Sequence, residues 1–515
     1  MLIAALCFAV PAGAQWNTFA RTDHHDAQSA VASQSLSQIH WQTPVDLHPL
    51  TSRGLIHYGS PLITASGTII VPVKTGLNGG FEVEALQNSN GSVLWSLTTD
   101  YILPGNGSIW TPVFGPALTS TPRLYYPGAG GTVYYRDSPD SATGTQGQLA
   151  FYGISQYTAS ARALRNFNQS VLINTPITTD SAGNIYFGFQ VVKNVIDPVY
   201  DQYGTPLSSG IARISASGVG SWTPVTTVSG DSGMTEVAMN CAPALSQDEG
   251  TLYFAVSNGS GGSYGGSTGY SGSGGNTRST GYLVAVSSNT LAPLAKAHLA
   301  DPKSGLYATI TDDSSASPTV GPDGDVYYGV LENPCCENND RGWMLHFSGD
   351  LSQLKTPGAF GWDDTASIVP ASMVPSYEGS SSYLIFTKYN NYAETGTGNG
   401  ENKIAILDPN ATETDPVTGV TVMKEVMTIL GVTPNPPLAG VKEWCINSAA
   451  VDPGTKSILA NSEDGNLYRW DLTTNTLSQK VTITDGVSEA YTPTVIGVDG
   501  TVYAINNAIL FAVGQ

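Results

Sequence analysis

The chain of 515 residues has few charged residues, and basic residues are the scarcest of them. Only 12% of the residues are charged, and 21 Lys and Arg stand against 41 Asp and Glu, which gives a formal net charge of −20. A surface of this sign repels the phosphate backbone of a nucleic acid. We therefore expect no nucleic-acid partner.

Long apolar runs are missing as well. No window of about 18 unbroken apolar residues predicts a transmembrane helix, although 41% of the residues are hydrophobic, enough for a large buried core. The 57 glycines and 31 prolines indicate many turns. We expect one large domain without a membrane span.

The N-terminus resembles an export signal. Residues 1–10 are apolar, and Ala12-Gly13-Ala14 before Gln15 matches a cleavage site between small residues. We therefore predict a signal peptide at 1–14 and a periplasmic or extracellular protein. The alternative is a short buried strand.

Cysteine is scarce, with five in the chain. Removal of residues 1–14 would leave Cys241, Cys335, Cys336 and Cys445, an even number in an oxidising compartment, with three pairings open. Bonding between the neighbours Cys335 and Cys336 would make a hard, flat, apolar plate. That pairing would leave Cys241 with Cys445.

What the chain does contain is a recurring phrase: Ser, Thr or Ala before Pro, a short apolar run, a Gly/Asp turn, and a strand rich in Tyr, Val and Ile. Its period of roughly 45–78 residues predicts one supersecondary unit per repeat. The clearest copies begin at Ser60-Pro61, Thr175-Pro176, Ala242-Pro243, Ser317-Pro318 and Thr492-Pro493.

The repeats predict an all-β fold, an eight-bladed β-propeller of four-stranded antiparallel blades. Two copies are weak, near Thr111 and Asn447, so seven blades is the alternative. The last repeat has only three strands, and residues 39–45 resemble a fourth strand that would pair there and protect an open edge. We predict a polar lead-in at 15–37 and a single propeller domain at 38–515.

These repeats resemble those of the pyrroloquinoline-quinone-like propeller superfamily, the fold of the quinoprotein alcohol dehydrogenases. The resemblance rests on second strands such as Gly67-Thr68-Ile69-Ile70-Val71 and on fourth strands such as Asn90-Gly91-Ser92-Val93-Leu94-Trp95. It implies the fold; pyrroloquinoline quinone (PQQ) and calcium would be the cofactors if the activity were shared. A vicinal disulfide and a Trp sandwich the quinone in those enzymes, so Cys335-Cys336 with Trp110, Trp362 or Trp444 resembles that arrangement.

Loop lengths predict which end of the propeller binds a ligand. The connections between second and third strands are long, at 191–210, 257–280, 331–341 and 388–402, and they share one end with the segments that lead into each first strand. Those segments are polar and aromatic. The candidate ligand-binding residues at this end are His57, Trp110, Glu236, Asn240, Asp313, Cys335, Cys336, Arg341, Trp362, Asp364, Lys442, Glu443, Trp444, Glu489 and Tyr491.

Two hypotheses follow. The first is an exported propeller that binds a protein partner, a glycan or a small ligand through its loop-rich face. The second is a periplasmic quinoprotein dehydrogenase of alcohols or sugars, with PQQ and calcium and with Asp312 or Asp363 as the base. The first is preferred because spacing assigns no base, no metal ligands and no clamp for the quinone carboxylates. Whether the protein is an enzyme stays open.

Overall fold

The computed structural model describes residues 15–49, 59–77, 79–103, 114–192, 197–259, 279–310, 316–486 and 494–515. In this part of the chain, eight small antiparallel sheets follow one another in sequence order. The prediction of an eight-bladed β-propeller is confirmed, and the alternative of seven blades is wrong. The predicted signal peptide at 1–14 lies outside the described residues. No helix among these residues is long and apolar enough to cross a membrane.

Each of the first four blades is built from consecutive strands. Blade 1 contains β2 (Leu62–Ile63), β3 (Ile69–Gly76), β4 (Gly79–Leu86) and β5 (Val93–Thr99). Blade 2 contains β6 (Ala117–Leu118), β7 (Arg123–Pro127), β8 (Thr132–Asp137) and β9 (Gln146–Ala150). Blade 3 contains β10 (Val171–Ile173), β11 (Thr178–Thr179), β12 (Ile185–Val191), β13 (Gly210–Ile214) and β14 (Gly220–Pro224). Blade 4 contains β15 (Glu236–Val237), β16 (Ala244–Leu245), β17 (Thr251–Ser257), β18 (Gly281–Ser287) and β19 (Pro293–His298).

The remaining blades repeat the plan. Blade 5 contains β20 (Thr319–Val320), β21 (Val326–Val330) and β22 (Trp343–Phe347). Blade 6 contains β23 (Ser367–Pro370), β24 (Tyr383–Tyr389), β25 (Lys403–Thr414) and β26 (Thr421–Leu430). Blade 7 contains β27 (Ala450–Asp452), β28 (Ser457–Asn461), β29 (Asn466–Asp471) and β30 (Thr476–Thr482). Blade 8 contains β31 (Val495–Ile496), β32 (Val502–Asn506), β33 (Ile509–Gly514) and, as its outer strand, β1 (Gln38–Pro44).

The pairing of β1 closes the ring. β1 runs antiparallel to β33, with Gln38 opposite Gly514 and Pro44 opposite Ile509. The N-terminal strand therefore completes the last blade, as the sequence predicts, and covers an edge that would otherwise expose unpaired backbone groups.

Blade 5 departs from the predicted four strands. In place of a regular fourth strand, residues near 354–358 make only isolated bridges, Phe347 to Leu354 and Met344 to Gly358. Pro357 has no backbone N–H to donate, which disfavours a regular ladder there.

Short helical segments lie between strands. Helix α2 begins after Ser160, whose hydroxyl accepts a hydrogen bond from Ala163 N–H at 3.0 Å, the usual device for satisfying a helix N-terminus. The helical segments are α1 (Ile154–Tyr157), α2 (Ala161–Ser170), α3 (Val225–Ser229) and the 3-10 turns Ala129–Gly131 and Ala371–Met373.

Neighbouring blades are joined by hydroxyl groups of their innermost strands. A Thr or Ser of one innermost strand donates to a carbonyl group of the next blade. The accepting residue immediately precedes the innermost strand of that blade. The bonds are Thr178 Oγ1 to Pro243 O (2.6 Å), Thr319 Oγ1 to Ala366 O (2.7 Å) and Ser367 Oγ to Ala449 O (3.1 Å). These polar residues of the innermost strands are therefore structural.

The innermost strands line a central channel, and residues 15–34, which we call the channel segment, run through it. Successive residues of the segment form hydrogen bonds with successive blades. The bond to blade 3 is made by the side chain of Thr18, and the others are made by backbone groups. The bonds are Trp16 N to Ile63 O (3.1 Å), Leu118 N to Asn17 O (2.7 Å), Thr18 Oγ1 to Ile177 O (3.0 Å), Leu245 N to Asp23 O (2.8 Å), Val320 N to His24 O (3.0 Å), Ile368 N to Asp26 O (3.0 Å), Val451 N to Ala27 O (2.9 Å) and Gln34 N to Gly500 O (2.8 Å).

The channel segment is packed as core. Trp16, Ala20, His25 and Ala27 are fully buried. Four of its residues other than glycine have positive φ, between 47° and 79°, which is uncommon for side-chain-bearing residues and persists where surrounding contacts fix the chain. The stretch predicted as a polar lead-in thus fills the channel near the end that carries the tight first hairpins.

We expect the channel segment to be needed for stability. Trp16→Ala should lower the free energy of unfolding by about 3–5 kcal/mol, the usual cost of truncating a buried Trp, measured by urea denaturation. Ala30→Ser, at an exposed position of the same segment, should change stability by less than about 0.5 kcal/mol. Equal, small effects of the two substitutions would show that packing of the segment contributes little to stability.

Candidate functional site

The loop-rich end, where second strands pass into third strands, brings together ionisable residues of blades 6 and 7. Asp364 precedes β23, Lys388 lies at the end of β24, and Glu463 follows β28. Lys442 and Glu443 lie in the segment that leads into β27. We call these five residues the blade 6–7 cluster.

Asp364 is the most buried carboxylate of this cluster, with no exposed surface. The Thr387 hydroxyl donates to its Oδ2, while Oδ1 has no hydrogen-bond partner among the described residues. Burial raises the pKa of Asp364 to about 7, against the attraction of Lys388. A carboxylate with one free oxygen in an apolar setting is costly for a protein to maintain, and such groups concentrate at functional sites.

Glu443 and Glu463 extend the cluster toward solvent, where both are half-buried. Burial raises the pKa of Glu443, and the ammonium groups of Lys388 and Lys442 oppose that rise. Burial and then repulsion by Glu443 raise the pKa of Glu463 to about 8, against Lys442, Lys388 and a hydrogen bond with Cys445. Two lysines therefore face three carboxylates, and the site carries an excess of negative charge whenever all three ionise.

Aromatic residues adjoin this cluster along the chain, since Trp362 precedes Asp363 and Asp364, and Trp444 follows Glu443. The rings of Trp362 and Tyr392 meet edge to face at 5.5 Å. The side chain of Asn390 donates to Trp444 O (3.0 Å) and accepts from Trp444 N–H (3.1 Å), which fixes that backbone. The indole Nε1 atoms of Trp362 and Trp444 are buried and have no acceptor within the described part of the chain. Two donors thus accompany the carboxylate acceptors.

Asp363, one of the two candidate bases, is buried beside Asp364 and has a φ of +58°. A left-handed backbone is uncommon for a residue with a side chain, though Asp tolerates it better than most. It turns the chain between Trp362 and Asp364, so that successive side chains take different directions.

The vicinal disulfide is formed, between Cys335 and Cys336. Cys335 is exposed, and the loop that carries it packs against residues 301–307 and against the 389–402 loop of blade 6. Cys241 and Cys445 are buried and are not joined in a disulfide, so the expectation that they pair is wrong.

The rings of Trp362 and Trp444 each contact another aromatic ring. Trp362 contacts Tyr392, and Trp444 contacts Tyr468 at 5.4 Å. Arg341, a candidate for clamping an anion, is buried and donates to Asp415 Oδ2 at 2.8 Å and to Asn338 O at 3.2 Å. Its guanidinium is therefore committed to the loop itself.

Other predicted site residues lie elsewhere. Glu236, in β15, accepts from Gln190 Nε2 at 2.6 Å between blades 3 and 4. Asn240 N–H donates to Asn174 O at 2.9 Å, and Asn240 lines a small cavity beside Phe19 of the channel segment. His57, Trp110, Asp312, Asp313, Glu489 and Tyr491 lie outside the described residues.

Sequence reasoning missed Lys388, Glu463 and Tyr392. Lys388 carried a signal, since it alternates along β24 with Leu384 and Phe386, both fully buried, so a charged side chain falls on an interior face. Glu463 sits in Ser462-Glu463-Asp464-Gly465, which is typical of an ordinary turn. No local pattern distinguishes it.

Comparisons with known proteins identify similar folds among solved structures. No protein-family model matches the chain, and no curated protein matches its sequence. A europium-containing methanol dehydrogenase is similar in structure, with a TM-score of 0.56 and 10% identity over 96% of this chain and 89% of that one.

Two further solved structures are similar at comparable levels. A quinohemoprotein alcohol dehydrogenase from Comamonas testosteroni has a TM-score of 0.53 and 12% identity over 99% of this chain and 78% of that one. A quinohemoprotein alcohol dehydrogenase from Pseudomonas putida HK5 has a TM-score of 0.50 and 13% identity over 98% of this chain and 76% of that one. The chain therefore has the quinoprotein-like propeller fold that its repeats predict, and identities this low show the fold alone.

The raised pKa of Asp364 predicts an inverted pH dependence of stability. Its pKa is 3.8 ordinarily and about 7 in the fold, so between these values the folded protein binds more protons than the unfolded one. The free energy of unfolding should fall as pH rises through this window. Asp364→Asn should raise it at pH 8, on the order of a few kcal/mol at about 1.4 kcal/mol per pKa unit, and flatten its pH profile.

Urea denaturation at pH 5 and pH 8 checks this. Asp350→Asn is the control, because this exposed carboxylate has a pKa lowered to about 2 by hydrogen bonds from Ser348 and Ser352 and titrates below both pH values. A profile as steep in Asp364→Asn as in the wild type would show that Asp364 does not cause it.

Proposed function

We propose that this protein is an exported β-propeller that binds a small, hydroxyl-rich ligand, a sugar or a polyol, in the blade 6–7 cluster. The observation that carries this proposal is the fully buried Asp364, whose Oδ1 has no partner among the described residues. Buried polar atoms almost always have partners, so an oxygen without one is best explained by a ligand or by water that takes that place.

The chemistry of the wall supports the same ligand class. Carboxylate oxygens of Asp364, Glu443 and Glu463 accept hydrogen bonds from hydroxyl groups. The indole N–H groups of Trp362 and Trp444, which have no acceptor in the described part of the chain, donate to hydroxyl oxygens. The aromatic rings offer apolar surface to the ring face of a sugar. Few polar groups on an aromatic wall are typical of small-molecule sites.

Access is from the loop-rich end. The channel segment fills the channel near the opposite end, so a ligand would approach along the long loops. The half-buried Lys442, Glu443 and Glu463 stand on that path. Export is part of the proposal and rests on the signal peptide that the sequence predicts at residues 1–14.

Binding should depend on the carboxylates. Calorimetric titration of a panel of neutral monosaccharides, disaccharides and polyols, at a pH above the pKa of Glu463, should give at least one ligand whose affinity falls tenfold or more in Glu443→Gln/Glu463→Gln, because charge-assisted hydrogen bonds are lost. Glu378→Gln, at an exposed position of blade 6 in the first hairpin, should bind as the wild type does. Failure of the whole panel, or equal binding by the double variant, would refute the proposal.

A second candidate is a quinoprotein dehydrogenase, which the fold similarity favours. PQQ with calcium would supply the oxidation chemistry. The described residues fit this group poorly: Cys335 faces solvent, Arg341 is paired with Asp415, and the ammonium groups of Lys388 and Lys442 lie among three carboxylates. A quinone with several carboxylates would need more positive charge than the cluster offers.

Reconstitution separates the two candidates. Purified protein incubated with PQQ and Ca²⁺ should show no bound-quinone absorbance and no reduction of an electron-accepting dye by alcohols or sugars. Cofactor-dependent dye reduction that disappears in Asp363→Asn would establish the dehydrogenase instead, and would displace the binding protein as the proposed function.

A further inference from the structure

The vicinal disulfide lies where solution reagents can reach it. Cys335 is exposed, and Cys336 and Asp340 are half-buried. Pro334, beside them, is also exposed. A disulfide buried beneath a ligand would be shielded from reductants, whereas thiol–disulfide exchange requires access to sulfur.

The loop around the pair is held by bonds that do not involve sulfur. The buried carboxylate of Glu332 accepts three backbone N–H groups of the loop, those of Asn338 (3.0 Å), Asp340 (2.8 Å) and Gly342 (2.8 Å). Asn338 Nδ2 donates to Gly342 O at 2.7 Å. Because this clamp spans the loop, breaking the S–S bond leaves the residues on either side in place.

Contacts with neighbouring segments fix the outer part of the loop as well. Asn333 N–H donates to Asp301 Oδ2 at 2.9 Å, and Asn339 Nδ2 donates to Asn391 Oδ1 at 2.7 Å. A Cβ atom added to Gly396 would lie 2.6 Å from Cys336 O, which shows how closely blade 6 packs on the pair. The two cysteines are therefore presented on a rigid support.

A carboxylate completes the group. Cys335 Sγ lies 3.7 Å from Asp340 Oδ1, and the two sulfurs and a carboxylate oxygen of Asp340 all lie within 4.8 Å of one another. Reduction would thus expose two adjacent thiols beside one acidic acceptor. Thiolates select soft, thiophilic elements.

We propose that Cys335 and Cys336, once reduced, form a binding site for trivalent arsenic in which Asp340 accepts a hydrogen bond. The site is distinct from the blade 6–7 cluster and does not rest on the function proposed for it. Trivalent arsenic suits the geometry because it makes three bonds on one side of the atom, so two sulfurs at a surface leave only one further position. An ion that requires four ligands would find too few here.

The chemistry balances in two steps. A phosphine reductant gives two electrons to the disulfide and becomes the phosphine oxide with the oxygen of one water molecule, whose two protons complete the thiols. Arsenous acid, As(OH)₃, then exchanges two hydroxyl groups for two As–S bonds, and each leaving hydroxyl departs as water with one thiol proton. The oxidation state of arsenic does not change, and the remaining As–OH donates to the Asp340 carboxylate.

Intact-mass spectrometry of the full chain under non-denaturing conditions tests this. With a phosphine reductant, the wild type should gain two thiols and bind one arsenic from arsenous acid; without reductant it should bind none. Cys335→Ser and Cys336→Ser should each weaken binding by about 10²–10⁴-fold, since the second bond is no longer intramolecular. Asp340→Asn should weaken it roughly tenfold by removing a charged acceptor.

The buried thiols provide the internal control. Cys335→Ser/Cys336→Ser keeps Cys7, Cys241 and Cys445, so arsenic bound by this variant would come from them and would overturn the proposal. Failure of the reduced wild type to bind would overturn it as well. If Asp340→Asn binds arsenic with wild-type affinity, Asp340 is not the hydrogen-bond acceptor of the site. Circular dichroism of each variant confirms that the propeller is folded.

Discussion

The structure depends on the satisfaction of backbone hydrogen bonds along the central channel. Each innermost strand pairs on one side only, so its other edge faces the axis with unpaired N–H and C=O groups. Groups of this kind are not left unpaired when they are buried. The channel segment supplies partners for these groups, since its backbone bonds to the inner strands of blades 1, 2 and 4 to 7, and the Thr18 hydroxyl bonds to blade 3.

The same N-terminal stretch then closes the ring at its rim. After leaving the channel it forms β1, the outer strand of blade 8. One continuous stretch therefore fills the central channel and completes the outer edge of the last blade. Because these contacts span all eight blades, the N-terminus couples the stability of distant repeats, whereas in other respects each blade touches mainly its neighbours.

Polar groups along the channel mostly serve the fold, as in the hydroxyl of Thr319 bonded to the next blade. At the loop-rich end, Asp364 keeps an oxygen without a partner among the described residues, and Glu463 has a raised pKa. Asp23 of the channel segment shares both features, since its Oδ2 has no hydrogen-bond partner in the described part of the chain and burial raises its pKa to about 6. Groups of this kind are candidates for function wherever they occur in a fold.

The sequence predicts the blades but not the position of the channel segment, and each outcome has a physical reason. The repeated Pro phrase and the alternation of strand residues predict blades, because a blade is local. The channel segment is not predicted, since its backbone bonds use no particular side chains. The polar or aromatic positions that the sequence indicates in blades 6 and 7 are Trp362, Asp363, Asp364, Lys442, Glu443 and Trp444. Lys388 and Glu463 were missed because their charged partners lie in other segments of the chain.

Similarity in fold to the quinoprotein dehydrogenases is compatible with different residues on the loops for the same reason. The fold is maintained by backbone pairing and by packing of apolar strands, which tolerate 10–13% identity. An activity is maintained by a few side chains on loops. In this chain Arg341 supports a loop, the cysteine pair faces solvent, and the carboxylates gather between blades 6 and 7. A propeller can therefore keep its architecture while the polar residues on its loops change.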